Sequence, residues 1–185
     1  MNKYWTLIGG TLLTCTPAGM ASMAIAADYM SVEAAKHSAF SQADRYEELH
    51  INLTTEQQRA ILLLAGSQPQ HGKLQIYRAW QGTQLLGHVL VDEVIGRQNL
   101  ITYAIAIDAS GKLGDAEILS YRESHGGEVR NGNWRKQFSG RTNLNQLRFV
   151  TDIKNIAGAT LSCEHVTQGI RWLHALWQTA LQDSH

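Results

Sequence analysis

The sequence predicts a single α+β domain in which an antiparallel β-meander sheet is packed with helices. Four apolar, strand-like segments lie between residues 74 and 121, and the short turns that join them favour neighbouring antiparallel strands. The last segment, from about Leu161 to Leu181, carries its apolar residues three or four positions apart, which predicts an amphipathic helix. With 185 residues, 44% of them hydrophobic, the chain has the size and composition of one globular domain.

Residues 1–26 have the pattern of a secretory signal peptide. A basic residue near the start precedes an apolar run shorter than the roughly 20 residues that span a bilayer. Ala24 and Ala26 then form an A-x-A cleavage pattern. Cleavage there predicts a periplasmic mature chain, residues 27–185, with no membrane span. The alternative, a lipoprotein signal ending at Cys15, fits less well because a threonine precedes the cysteine.

Charge, cysteine and histidine counts exclude several classes of site. The 16 basic and 16 acidic residues give no net charge, which argues against nucleic acid as a partner. Removal of the signal peptide leaves Cys163 as the only cysteine, so no internal disulfide is expected. The eight histidines show no zinc-motif spacing, and we expect no metal site.

Two helices are predicted before the strands. The first lies in residues 31–50, a stretch of helical composition without glycine or proline, and has Ser31 as its N-cap. The second begins with a capping box formed by Thr54 and Gln57 and ends at Gly66.

The strand segments read LQIYRAW, QLLGHVLVDEVIG, NLITYAIAID and DAEILSYRES. Gly87, inside the second segment, is expected at a β-bulge. Farther on, WRKQFSG predicts a short helix and QLRFVTDI predicts a short strand or an extended segment.

The turn before the last helix combines small residues with a hydroxyl. Ala157, Gly158 and Ala159 allow close backbone approach, and Thr160 opens a helix whose first amide N–H groups have no internal partners. Such a helix N-terminus is suited to phosphate. The alternative is structural, with Thr160 or Ser162 serving as the N-cap.

A second polar loop, YRESHGGEV, follows the last strand. Gly126 and Gly127 permit an unusual backbone angle or a close approach, and Glu123, Ser124 and His125 place polar groups beside them. By itself the loop is equally consistent with an ordinary turn.

Cys163 and His165 suggest a nucleophile and its base, but their spacing argues against this pairing. Residues two apart on a helix point about 200° away from each other, so the two side chains cannot hydrogen-bond. We interpret both as residues of the helix face without a chemical role, with the cysteine packed in the core.

Taken together, the loop and the turn resemble the periplasmic FMN-binding domain. This domain occurs in subunits of Rnf-type electron-transport complexes and of the sodium-pumping NADH:quinone oxidoreductase, and as small stand-alone flavoproteins. The resemblance covers roughly Leu74 to Leu181. The matched order is a strand, a strand with a D-x-x-G-K turn starting at Asp108, a strand, a Gly loop that contains a glutamate, and a Gly-Ala-Thr triplet before the last helix.

The resemblance implies FMN as the cofactor, joined through its phosphate to Thr160 as phosphothreonyl-FMN. It also implies an FAD:protein FMN transferase as the partner that makes the bond from FAD. The cofactor-binding residues expected are Ala157, Gly158, Ala159 and Thr160 in the turn, Lys154 before it, and Glu123, Ser124, His125, Gly126 and Gly127 in the loop.

The chain departs from the family's D-x-x-[S/T]-G-A-T attachment motif at two positions. Lys154 occupies the aspartate position and Ala157 the serine or threonine position, whereas the Gly-Ala-Thr core is intact. The Lys154 cation is a candidate partner for the flavin phosphate, and noncovalent binding of FMN stays open.

These observations lead to a prediction of domain organisation and function. Residues 27–185 form one FMN-binding domain, with a helical part at 31–66 and an FMN-binding core at 74–182. The protein is expected to be an electron carrier between membrane or periplasmic redox partners, rather than an enzyme with its own substrate. The alternatives are a flavin-dependent periplasmic reductase, with His125 or Glu123 as proton donor, and a binding module with noncovalent or lost FMN.

Overall fold

A computed structural model describes residues 27–67 and 72–182 of the chain. The predicted signal peptide, residues 1–26, lies outside the described residues, and so does the candidate lipid-attachment residue Cys15. Within the part that is described, no helix combines the length and the apolar character needed to cross a membrane.

Six strands form one antiparallel sheet. They are β1 (Ala27–Asp28), β2 (Arg45–Leu49), β3 (Gln75–Gln81), β4 (Gln84–Ile95), β5 (Leu100–Asp108) and β6 (Leu113–Tyr121). Their order across the sheet is β1-β6-β5-β4-β3-β2. Strands β3 to β6 are the predicted meander, so the predicted α+β class is confirmed.

The helices are α1 (Val32–Ala39), α2 (Thr55–Ala65), α3 (Gly132–Arg135) and α4 (Thr160–Leu176). Short 3₁₀ segments lie at Gly127–Arg130, Lys136–Phe138 and Leu144–Gln146, and α4 continues as a π-helical segment, Trp177–Leu181. The predicted C-terminal helix and the short helix in WRKQFSG are confirmed. The segment QLRFVTDI was predicted as a short strand or an extended segment. Its first residue ends the 3₁₀ segment Leu144–Gln146, and its only β-pairing is one isolated bridge, Phe149 to Ile153, so no strand forms there.

The expected bulge at Gly87 is confirmed. Trp80 pairs with Leu85 whereas Ala79 pairs with Gly87, so Leu86 is the extra residue of β4. A Cβ at Gly87 would lie 2.3 Å from the carbonyl oxygen of Ile107. The position therefore requires glycine because the neighbouring strand comes too close for any side chain.

The first predicted helix is confirmed only in its first half. Ser31 accepts a hydrogen bond from the Ala34 amide as the N-cap of α1, but Arg45–Leu49 is a strand. The helical prediction for this second half was wrong because the free edge of β3 offers a full ladder of antiparallel pairing, from Arg45–Trp80 to Leu49–Ile76. Tertiary pairing here overrides local helix propensity.

Helices cover both faces of the sheet. The predicted capping box of α2 is present, and Gly66 ends that helix with φ +77°. Helix α2 packs against α4 on one face, where Ile101, Tyr103 and Ile105 join the main core. Helix α1 covers the opposite face beside Ala104 and Ala106.

Candidate functional site

The turn before α4 leaves the start of that helix open. Gly158 has φ +88°, and no heavy atom lies within 4 Å of where its Cβ would be. Ala159 is the N-cap and makes no side-chain capping bond, so neither Thr160 nor Ser162 caps the helix. Thr160 is the first helical residue and is exposed. The first intrahelical bond runs from the Cys163 amide to the Ala159 carbonyl, 2.9 Å, which leaves the preceding amides without an intrahelical acceptor.

The loop after β6 lies directly against this turn. Gly126 has φ +86°, and a Cβ there would be 2.7 Å from Tyr121 Oη, 2.9 Å from Ser162 Oγ and 3.5 Å from Ala159 Cα. Tyr121 donates its hydroxyl proton to the His125 carbonyl, and Ser162 Oγ lies 2.9 Å from the same phenol oxygen. The two motifs, about thirty residues apart in the sequence, therefore form one surface.

Glu123 faces the turn between β4 and β5. Its carboxylate accepts hydrogen bonds from the backbone amides of Gln98 (2.5 Å) and Asn99 (2.7 Å). Burial is the largest single influence and raises the pKa of the Glu123 carboxyl. The hydrogen bonds from the backbone amides of Asn99, Gln98 and Arg97 and from the Asn99 side chain together outweigh it. The pKa consequently lies below its ordinary value, and the charged side chain holds the start of the loop to this turn.

Glu123→Gln is expected to remove an acid-sensitive part of the stability. Because the folded pKa of Glu123 is depressed, its contribution is present above the unfolded pKa, near 4.5, and is lost as pH falls through the folded pKa. Because the carboxylate is partly exposed, we expect its contribution to the free energy of unfolding to be less than about 1 kcal/mol. Urea unfolding at about pH 7 and about pH 3 should show a smaller pH effect on the free energy of unfolding in the variant than in the wild type.

The control for this experiment is Glu128→Gln, which changes an exposed carboxylate in the following 3₁₀ segment. It should change the free energy of unfolding at about pH 7 less than Glu123→Gln does. An equal pH dependence in Glu123→Gln and the wild type would contradict the role given to Glu123.

His165 ties α4 to the same turn. Its Nδ1 lies 2.6 Å from the Ile95 carbonyl oxygen and 3.1 Å from that of Gly96. His165 therefore has a structural role that its sequence position did not predict, because it joins the helix to the turn that Glu123 also holds. Cys163 is fully buried in the core, as predicted, and burial raises the pKa of its thiol.

The ammonium group of Lys154 is hydrogen-bonded to the loop that precedes it in the chain. Its Nζ donates to the carbonyl oxygens of Val150 (3.2 Å) and Thr151 (3.0 Å). The hydroxyl of Thr160 is instead contacted by the neighbouring residue, since Asn155 Nδ2 donates to Thr160 Oγ1 at 2.9 Å. This contact could not be predicted from the sequence, because a lone asparagine carries no recognisable signal.

The remaining loop residues lie at the surface. Ser124 Oγ and His125 Nδ1 are 2.9 Å apart, and both side chains are exposed. Arg130 donates from Nε to the Gly127 carbonyl, 3.0 Å away, and its guanidinium lies 4.2 Å from the ring centroid of Tyr29. Across residues 27–67 and 72–182, no three His, Cys, Asp or Glu side chains cluster as metal ligands.

Comparison with known proteins finds one domain family that is similar to the segment carrying this surface. Residues 96–173 match the family model described as the FMN-binding domain. The matched segment begins at the turn held by Glu123 and His165, includes β5, β6, the polar loop and the Gly158–Thr160 turn, and ends inside α4. A search of curated proteins found no match to the chain.

Proposed function

We propose that this chain is an exported electron carrier with FMN attached covalently at Thr160. The match of residues 96–173 to the FMN-binding domain family supports FMN as the cofactor. The observation that carries the proposal is the exposed Thr160 hydroxyl at the uncapped start of α4. The polar loop packs against Ala159, the residue just before Thr160.

The local geometry fits a phosphate. An uncapped N-terminus presents free amide N–H groups and the positive end of the helix dipole, which together favour a phosphate dianion. The left-handed Gly158, two residues before Thr160, adds no crowding of its own, because nothing lies within 4 Å of where its side chain would be. The residues present therefore suit the phosphate of FMN, and Thr160 Oγ1 is the side-chain oxygen at the first helical position.

Attachment of FMN requires a partner enzyme, which we propose is an FAD:protein FMN transferase. Thr160 Oγ1 forms a bond to the flavin-side phosphorus of FAD, the pyrophosphate P–O bond breaks, AMP leaves, and the hydroxyl proton passes to a base of the transferase. Exposure of Thr160 gives the transferase access. A linkage through the phosphate leaves the ring chemically unmodified.

FMN supplies one- and two-electron redox chemistry at its isoalloxazine ring. The chain's contribution is to hold the cofactor. Ser124 and His125, exposed on the loop, and the backbone at Gly126 and Gly127 are the proposed contacts for the flavin. Glu123 acts indirectly by fixing this loop to the turn at Gln98 and Asn99.

Export follows from the signal-peptide pattern of residues 1–26. We propose that the mature chain works in the periplasm, where a covalent bond prevents loss of the cofactor. Membrane-bound or periplasmic redox proteins are the proposed donors and acceptors of its electrons.

One experiment tests cleavage and attachment together. The full-length chain is co-expressed with a flavin transferase in a bacterial host that can export the chain. The purified protein is denatured, and its intact mass is measured by mass spectrometry. We expect the mass of residues 27–185 plus one FMN minus one water, and flavin fluorescence that persists on a denaturing gel. An unmodified mass with a colourless gel band would overturn covalent attachment, and an uncleaved mass would overturn the proposed processing.

A further inference from the structure

Asn155 lies where the turn before α4 begins, and its side chain reaches forward to the helix. Its Nδ2 group donates a hydrogen bond to Thr160 Oγ1, five residues later, at 2.9 Å. Asn155 itself is exposed, so this contact is not enforced by burial of the side chain.

The backbone just before Asn155 is held in place by a buried aromatic residue. The carbonyl of Lys154 accepts a hydrogen bond from Trp134 Nε1 at 2.8 Å, and its amide donates to Gln137 Oε1 at 2.7 Å. Trp134 is only 3% exposed and packs edge-to-face on Phe138. The Asn155 side chain therefore extends from a backbone that is anchored on its N-terminal side.

The direction of the hydrogen bond determines where the hydroxyl proton can point. An amide NH₂ is a donor only, so Thr160 Oγ1 accepts with one of its lone pairs. The Thr160 proton must then point away from Asn155. Because Thr160 is exposed, this leaves the proton and the remaining lone pair available to a partner protein.

We propose that Asn155 is a positioning residue for the modification of Thr160, orienting the hydroxyl so that its proton faces the base of the flavin transferase. This inference rests on the proposed function. Lys154, at the motif's aspartate position, is engaged with the Val150 and Thr151 carbonyls, whereas Asn155 is the residue that contacts the nucleophilic oxygen.

The test is the rate of FMN transfer to purified, unmodified protein, with the transferase, FAD and Mg²⁺, followed by intact mass. Asn155→Ala is expected to lower the kcat for modification about fivefold, the rate equivalent of one ordinary hydrogen bond. The KM for the acceptor protein and the thermal midpoint should stay unchanged, since Asn155 orients one hydroxyl. Asn155→Gln, which keeps an amide donor on a longer stem, should recover part of the rate.

The matched control is Asn145→Ala, which removes another exposed asparagine side chain outside the attachment turn and should react at the wild-type rate. A wild-type rate in Asn155→Ala, while the wild type is modified, would overturn the role of Asn155 alone. A slower rate accompanied by a raised KM or a lowered thermal midpoint would also overturn it, because a structural defect would then explain the loss. Wild-type protein that takes no FMN at all would overturn the proposed covalent bond, and this inference with it.

Discussion

Thr160→Ala is expected to abolish the FMN adduct completely and to leave the fold intact. The substitution removes the only atom that can form the proposed ester, and alanine is a good helix former at the first position of α4. Because the side chain is exposed, we expect the free energy of unfolding to change by no more than about 0.5 kcal/mol. Intact mass after denaturation measures the adduct, and urea unfolding measures the stability.

Two further variants test whether the loss of the adduct is specific to the hydroxyl of Thr160. Thr160→Ser keeps a hydroxyl at the helix start and should retain an adduct, whereas Thr142→Ala, an exposed threonine elsewhere, should be modified as fully as the wild type. An adduct of full yield in Thr160→Ala would move the attachment site to another residue. Flavin that co-purifies with Thr160→Ala but is released by denaturation would indicate that the same surface also binds FMN noncovalently.

Gly126→Ala is expected to cost about 1–3 kcal/mol of folding free energy and to lower FMN occupancy. An alanine Cβ would lie 2.7 Å from Tyr121 Oη and 2.9 Å from Ser162 Oγ, in a backbone conformation with φ +86° that side chains disfavour. Relief of these contacts requires the loop to move away from the hydroxyls of Tyr121 and Ser162. The proposed flavin contacts on the loop would move with it. Urea unfolding and the flavin-to-protein absorbance ratio measure the two effects.

Gly140→Ala separates the cost of the contacts from the cost of the backbone angle. Gly140 has φ +79°, but nothing lies within 4 Å of its missing Cβ, so this variant carries only the conformational strain. Gly126→Ala should therefore be the less stable of the two, and Gly140→Ala should keep full FMN occupancy. Equal stability and equal occupancy in the two variants would show that close packing of the loop on Tyr121 and Ser162 has no part in holding the cofactor.

Much of the fold could be predicted from local sequence patterns. The meander segments, the capping box at Thr54 and Gln57 and the amphipathic helix α4 are each specified by residues close together in the chain. The strand β2 could not be predicted in this way, because its pairing with β3 depends on an edge that exists only in the folded sheet.

The candidate site likewise has some features that could be predicted from local sequence and others that could not. The Gly158–Thr160 turn and the polar loop were identified from small residues and hydroxyls in sequence, and their closeness was inferred only from the family resemblance. The contacts of Glu123 with Gln98, of His165 with Ile95 and of Asn155 with Thr160 needed coordinates. The first two join residues 25 and 70 positions apart, a separation at which no periodic pattern carries information.

The central claim, FMN bound through its phosphate to Thr160, is tested most directly by the mass of one tryptic peptide. Cleavage after Lys154 and after Arg171 releases residues 155–171, which contain the whole attachment turn. From protein matured with the transferase, we predict that this peptide is heavier by one FMN less one water, and that fragmentation assigns the added mass to Thr160. An unmodified 155–171 peptide, or an added mass assigned to Ser162 or Thr167, would contradict the account.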